Sequence, residues 1–350
     1  MMREPAELKP FKEHDELLQM LEENGLKIPS SEIAKKELRR HGYHRLSGYR
    51  YLFREMLPFE QQNSETRTFR SKQHLAGSSF EDVIALAEFD SRLRLSIVEA
   101  LADFEVRLRT AVAHTLAAKD ELAHLKVDKL DRRSCLNTAK GKRETNHEVF
   151  CKEVARVTAM AIRSDDFAKH HDETYGSDLP VWAVVEHLTF GSLHYLFGFM
   201  KNEDKRTVAN EFGLRHPKAL EKWLYALVDL RNLSNHSARL FNRSLKRSIV
   251  IPPHTVSPGG LLKQTEEFLD RNKQEKDRLY AVVAVLAYLL KSHEFGSEWP
   301  TKFREVMLTF PYIELAEFED PLVSPQKNMG FPEHWQGDEL WLRSEERRVG

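Results

Sequence analysis

The stretch Ser79–Ala118, SFEDVIALAEFDSRLRLSIVEALADFEVRLRTAVAHTLAA, decides the fold class. Val83, Leu86, Leu93, Ile97, Leu101, Phe104, Leu108 and Val112 recur at steps of three, four or their sum. That spacing keeps one apolar stripe on a helix and is incompatible with the two-residue alternation of a strand. Ser79 and Asp82 have the spacing of a capping box, so the helix is expected to begin there. The segment reads as one long amphipathic helix or two nearly collinear ones. Its polar face carries Arg92, Arg94, Glu99, Glu105, Arg107 and Arg109. Glu105 and Arg109 form an i,i+4 pair, worth about 0.2–0.5 kcal/mol if exposed.

The same periodicity continues outward. Phe11–Glu23 places Leu17, Leu18 and Leu21 on one stripe, and Ser30-Ser31 is a plausible N-cap for a helix with Ile33, Ala34 and Leu38 inside. Lys126–Arg143 is rich in Lys and Arg with little apolar period and reads as a mobile basic loop. A helix over Glu148–His170 would face Val149, Val154, Val157, Met160 and Ala161 inward. Leu179-Pro180 is a stop signal, and Val181–Leu188 and Leu193–Met200 are short helices around Gly191. Pro217 suits the first position of a helix with Leu220, Trp223, Leu224, Leu227, Leu230 and Leu233 on its core face. Helices at Leu261–Asn272 and Asp277–Ser292 follow. The run Leu279–Leu290, LYAVVAVLAYLL, is too short to span a bilayer and reads as a buried helix. Ser248–Ile251 is the one β-like run and is too short to change the class. The expectation is an all-α helical bundle. A basic, aromatic N-terminal segment (1–78) precedes a helical core (79–295), and a meander of turns and short helices (296–342) wraps the core.

Composition agrees and excludes much. Of 350 residues 41% are hydrophobic, enough for a core without staples, and 15 Gly with 14 Pro disfavour a turn-rich β fold. Charged residues reach 31% but the net charge is -1, so a nucleic-acid surface has to arise from local clustering. Cys135 and Cys151 stand in polar surroundings outside any CxxC, which argues against a disulfide framework and suits a reducing cytosol. MMREPAELKPFKEHDE has no signal-like apolar stretch, and the tail RSEERRVG (343–350) resembles vector-derived residues. No GxxxxGK[ST], GxGxxG or GxSxG occurs. His170-His171-Asp172 is a local cluster, but adjacent histidines point apart on a helix, so no metal site is expected.

RNLSNH, Arg231–His236, carries the sharpest chemistry. In metal-independent RNA cleavage the ribose 2′-OH attacks the adjacent phosphorus. A neutral imidazole can take its proton or donate one to the leaving 5′-oxygen. A guanidinium can stabilise the phosphorane charge without ever deprotonating. Asn232 can orient His236 or hold a phosphate oxygen. The spacing alone is weak, since Arg39–His44 and Arg109–His114 repeat it and Arg163–His170 is two longer. Context favours Arg231, which ends a strongly amphipathic helix. The plain alternative is a helix-terminal His236 bonded to a carbonyl. Five residues turn a helix by about 140°, so Arg231 and His236 share a site only if the helix ends between them or a second copy completes it.

Two clusters offer an RNA grip. In RRHGYHRLSGYRYLFRE, Arg39, Arg40, Arg45, Arg50 and Arg54 are interleaved with Tyr43, Tyr49 and Tyr51. These side chains can hold phosphates and stack on bases, or the tyrosines can be core and the arginines solvated. Arg239, Arg243, Lys246 and Arg247 follow the motif without an intervening acid and can line a substrate path.

Several segments together resemble the Abi-like family, the abortive-infection proteins of the AbiD and AbiF kind. They are GYHRLSGYRYLFR (Gly42–Arg54), FDSRLRLSIVEALADFEVRLRT (Phe89–Thr110), LPVWAVVEHLTFGSLHYLF (Leu179–Phe197), LRNLSNHSARLFNR (Leu230–Arg243) and MGFPEHW (Met329–Trp335). They span most of the chain in the family's order. The resemblance implies a HEPN core with an Rx4–6H motif at Arg231, Asn232 and His236. It also implies cofactor-free RNA cleavage, a homodimer formed through the HEPN helices, and phage defence. In some members a small noncoding RNA acts as antitoxin. The competing reading is a non-catalytic protein whose basic surfaces hold a structured RNA.

Overall fold

The capping box at Ser79 forms where the spacing places it. Asp82 Oδ2 accepts from the Ser79 amide at 3.1 Å, and Ser79 Oγ accepts from the Asp82 amide at 3.2 Å. The computed structural model describes residues 10–252, 260–291 and 296–343. In it the helix runs unbroken over Phe80–Ala117. The described residues contain α1 (His14–Glu23), α2 (Ser31–His41), α3 (Tyr43–Arg50), α4 (Phe80–Ala117), α5 (Arg132–Leu136), α6 (Asn146–Ser164), α7 (Asp166–Tyr175) and α8 (Val181–His187). They continue with α9 (Phe190–Phe199), α10 (Asn202–Glu211), α11 (Pro217–Asn235), α12 (Lys263–Arg271), α13 (Leu279–Lys291), α14 (Trp299–Met307) and α15 (Pro325–Met329). The fold is all-α apart from one small hairpin. The chain divides into two compact units, residues 1–93 with 307–328 and residues 94–306 with 329–350.

In the first unit Ser30 caps α2 and Gly42, at φ +78°, makes the turn into α3. Leu46, Tyr49 and Phe53 are fully buried. Tyr49 donates to Asp90 Oδ2 at 2.6 Å. Arg50 is buried as well, lying over the Tyr43 ring and donating to its hydroxyl at 3.1 Å. Ile33, expected inside, is exposed, while Ala34 and Leu38 carry the α2 core face. The antiparallel pair β1 (Arg54–Met56) and β2 (Arg70–His74) is a feature the sequence reading lacked.

The second unit is built around α13, in which every residue from Leu279 to Leu290 is buried. A helix apolar on all sides has to be enclosed on all sides. Helix α11 packs against it with Ala219, Leu220, Trp223, Leu224, Ala226, Leu227 and Leu230, and α9 and α10 flank α11. Tyr280, Phe331, Trp335 and Trp341 form a ring cluster with centroids 4.9–5.4 Å apart for successive pairs. Gly330 sits at φ +75°, and a Cβ there would lie 2.6 Å from Arg278 Cβ, so the MGFPEHW turn requires glycine. Among the described residues no helix is long and apolar enough to cross a membrane.

Several expectations need correction. Lys126–Arg143 is not a bare loop: Asp131 caps α5, and Leu130 and Cys135 are buried. Burial of Cys135 also contradicts its polar sequence context. The helix expected over Glu148–His170 breaks at Asp165, whose carboxylate accepts from the Ala168 amide at 3.0 Å and starts α7. Val149 and Met160 on α6 are exposed, and His147, Phe150, Val154, Val157 and Ala161 carry its buried face. Arg109 is no surface residue. It is buried against Glu105 and donates to the carbonyls of Val185 and Leu188, the latter at 2.9 Å. Ser248–Ile251 forms no strand. Residues 344–350 of the unusual tail, residues 253–259 and Ser292 lie outside the described residues.

Candidate active site

Helix α11 owes its length to Pro217 at its start and a buried leucine stripe along one side. Its end is a Schellman turn: the Ala238 amide bonds the Leu233 carbonyl at 2.8 Å, and the Ser237 amide bonds the Ser234 carbonyl at 3.1 Å. The left-handed position is taken by Ser237 at φ +53° rather than by glycine. His236 is the C-cap, its amide bonded to the Asn232 carbonyl at 3.0 Å. The helix therefore ends between Arg231 and His236, but only at the last residue. The cap still lies on the helical spiral, so the 140° offset largely persists.

The motif splits accordingly. Arg231 is half-buried, its Nε 3.9 Å from Glu105 Oε2 on α4. The other Glu105 oxygen accepts from buried Arg109, so one carboxylate serves two guanidiniums and the trio keeps a positive charge. Asn232 and His236 are exposed on the next face, one helical turn apart. Neither side chain has a hydrogen-bond partner among the described residues, and the His236 imidazole bonds no carbonyl. Beneath them the Ser234 hydroxyl is buried without a partner.

The other arginine–histidine spacings are less apt. Arg109 is committed to Glu105 and two carbonyls, although His114 is exposed. Arg163 and His170 lie on different helices. Arg39 and His44 are both exposed, on α2 and α3. Among the described residues no group of three or more His, Cys, Asp or Glu is placed to hold a metal ion.

The structure sorts the basic candidates. Tyr49 and Arg50 are removed from any surface grip by burial. Tyr43 is half-buried under Arg50, and Tyr51 lies beside Arg70. Arg39 is exposed, Arg45 and Arg54 are half-buried, and Arg40 pairs with Glu88 at 3.0 Å. Arg239 donates to the Phe241 carbonyl at 2.9 Å and Arg243 to the Arg239 carbonyl at 3.3 Å, so both hold the post-motif loop. Lys246 and Arg247 are exposed between the buried anchors Leu245 and Ile249. Arg247 lies over the ring of Tyr225 on α11, 5.1 Å from its centroid. The Tyr225 ring also meets His194 on α9 edge-on, with centroids 3.9 Å apart.

Burial pushes the His194 imidazole down to about 4, with Lys205 and Arg247 adding to the effect. Burial likewise takes His124 down to about 4, helped by His147. Both are neutral in the fold near pH 7 and free to protonate once unfolded. Their folded values are depressed, so the unfolded state binds more protons below about pH 6.5. Stability is fully present above that value and falls as pH drops towards 4, by on the order of 1–2 kcal/mol each at pH 5. Thermal unfolding followed at pH 7 and pH 5 should show the lower midpoint at pH 5. Equal midpoints would mean that both imidazoles reach solvent protons in the fold.

An amphipathic helix that buries one side, pairs its arginine and leaves an asparagine and a histidine unpartnered at its end defines a helical protein with a polar motif open to a ligand. This chain belongs to the Abi-like family: the profile described as "Abi-like protein" matches residues 36–242, more than half of its length. The match includes α11 and the whole of the motif. No curated protein and no solved structure matches the chain.

Proposed function

We propose that the chain is a HEPN-type endoribonuclease of abortive infection, acting in the cytosol without a cofactor. The observation that carries this reading is the pair of unpartnered, exposed side chains of Asn232 and His236 on the helix whose Arg231 joins a positively charged trio with Glu105 and Arg109. The ribose 2′-oxygen forms a bond to phosphorus while the bond from phosphorus to the 5′-oxygen breaks. A histidine accepts the 2′-OH proton, and a histidine supplies one to the departing oxygen. The ends are a 2′,3′-cyclic phosphate and a 5′-OH. Arg231 offsets charge on the phosphorane, and Asn232 holds a phosphate oxygen or orients the imidazole.

Because Arg231 and His236 face different ways on α11, one site takes its arginine and its histidine from two copies. The arrangement is a twofold homodimer in which the two Leu230–His236 segments approach each other. A small noncoding RNA is the candidate antitoxin partner. Purified protein incubated with total RNA in EDTA should cut it and leave 5′-OH ends, and light scattering should give the mass of a dimer. Cleavage that stops in EDTA overturns the metal-free mechanism, and a monomer that cuts overturns the composite site. Tight binding without cutting supports the structured-RNA scaffold instead. Sequencing the RNA that copurifies with the chain identifies the partner in either case.

A further inference from the structure

Helices α9 and α11 lie side by side, and each turns one tyrosine outward. Tyr195 is 54% exposed and Tyr225 is 41% exposed. Both rings rest on the buried His194, at 5.6 and 3.9 Å between centroids. Tyr195 also lines a cleft of about 770 Å³ together with Lys142, Arg143, Phe150 and Ser192. Arg247 lies over the Tyr225 ring. From Tyr225 the same face of α11 continues through half-buried Asp229 to exposed Asn232 and His236. The cleft, the rings and the motif thus lie along a strip of adjoining helices, α6, α9 and α11, within the second unit.

The charges along the strip are unequally satisfied. Three of its acids are taken, Glu144 by Lys152, Glu153 by Arg156 and Glu221 by Lys205, which leaves Asp229 without a cation among the described residues. Lys142, Arg143 and Arg247 have no acidic partner among the described residues. A strip whose cations lack acids and whose rings are half-exposed fits a ligand that alternates anionic groups with flat faces. A purely apolar partner would leave those cations unpaired.

We propose that this strip is a single-stranded RNA track, with Tyr195 and Tyr225 stacking bases and Lys142, Arg143 and Arg247 holding phosphates on the way to His236. The proposal rests on reading the chain as acting on RNA, and it names how the strand reaches the motif. Ring stacking is tolerant of sequence because every base has a π face, so the track confers grip and not base choice. His194, with its Nε2 lacking a partner, serves as a rigid support for both rings.

The test uses the full chain carrying His236→Ala, so that RNA is bound without being cut, and a labelled single-stranded oligouridylate read by fluorescence anisotropy. Tyr195→Ala and Tyr225→Ala should each weaken binding about tenfold without changing its salt dependence. Phenylalanine at either position should restore it. Lys142→Glu with Arg143→Glu should flatten the log–log salt slope by about 1.4, about 0.7 per lost contact. Unchanged affinity in folded alanine variants, or no binding by the parent, overturns the track. So does sedimentation showing that these variants separate two copies while RNA affinity stands, which would make the strip a protein interface. Reduced binding in a chain whose native form never cuts RNA would keep the track and remove the ribonuclease. Cutting with unaltered affinity would do the reverse.

Discussion

Replacing His236 with alanine should lower RNA cleavage by about 10³-fold, the scale of positioned acid–base catalysis, and leave the fold intact. The two halves of that expectation have separate grounds. His236 is exposed, and its side chain touches no partner among the described residues, so its loss removes no packing and no internal hydrogen bond. Surface substitutions of this kind change stability by at most about 0.5 kcal/mol. Its backbone amide, which closes the helix on the Asn232 carbonyl, is kept in the variant. Asn232→Ala should cost less, because an amide can position but does not titrate. Cleavage of a labelled RNA, followed beside thermal unfolding, reads both halves together. Normal cutting by a folded His236→Ala chain would remove the residue from the mechanism.

The largest stability effect is expected at Glu105→Ala. That carboxylate faces Arg109, which is buried and otherwise held only by the carbonyls of Val185 and Leu188. Deleting one partner of a buried pair strands the other charge and costs about 3–5 kcal/mol. The same carboxylate lies 3.9 Å from Arg231, so the variant also releases the motif's arginine. Unfolding in urea should show the loss, with the midpoint shifted and the slope kept. Glu105→Gln, which retains shape and one acceptor, should fall between. A loss under about 1 kcal/mol for Glu105→Ala would show that the two carbonyls satisfy Arg109 without the carboxylate.

What could be read from the residues alone was local. Ser79 with Asp82, Ser30 before α2, Pro217 before α11 and the apolar run of α13 each signal within a few positions, and each formed. The hairpin escaped because RSKQH, the β2 strand, has no apolar alternation to announce it. Helix α10, NEDKRTVANE, buries Asp204 and Lys205 beside Val208 and Ala209 and has almost no hydrophobic signature. The break at Asp165 was hidden because an N-cap aspartate inside a polar face looks like any solvated acid. Tyr49 and Arg50 looked like an RNA grip because what buries them, Asp90 and the Tyr43 ring, is not adjacent in sequence.

The site followed the same rule. Arg231, Asn232 and His236 were legible as a local spacing, and the helix end fell between them. Glu105, the partner that fixes Arg231, was visible only as a member of a helix face. Tyr195 and Tyr225 sit inside runs that read as core, and only the packing of α9 on α11 shows that both turn outward.

Helix α13 has a consequence for biosynthesis. Its twelve apolar residues are made before Phe331 and Trp341, the rings that pack on Tyr280. At about 5–20 residues per second, the Tyr280 end of this helix waits a few seconds for the rings that pack on it. A ribosome stalled or a message truncated between these two segments therefore releases a chain with its most adhesive surface open. Expression yield should be more sensitive to events in that short window of translation than to equal delays earlier in the message.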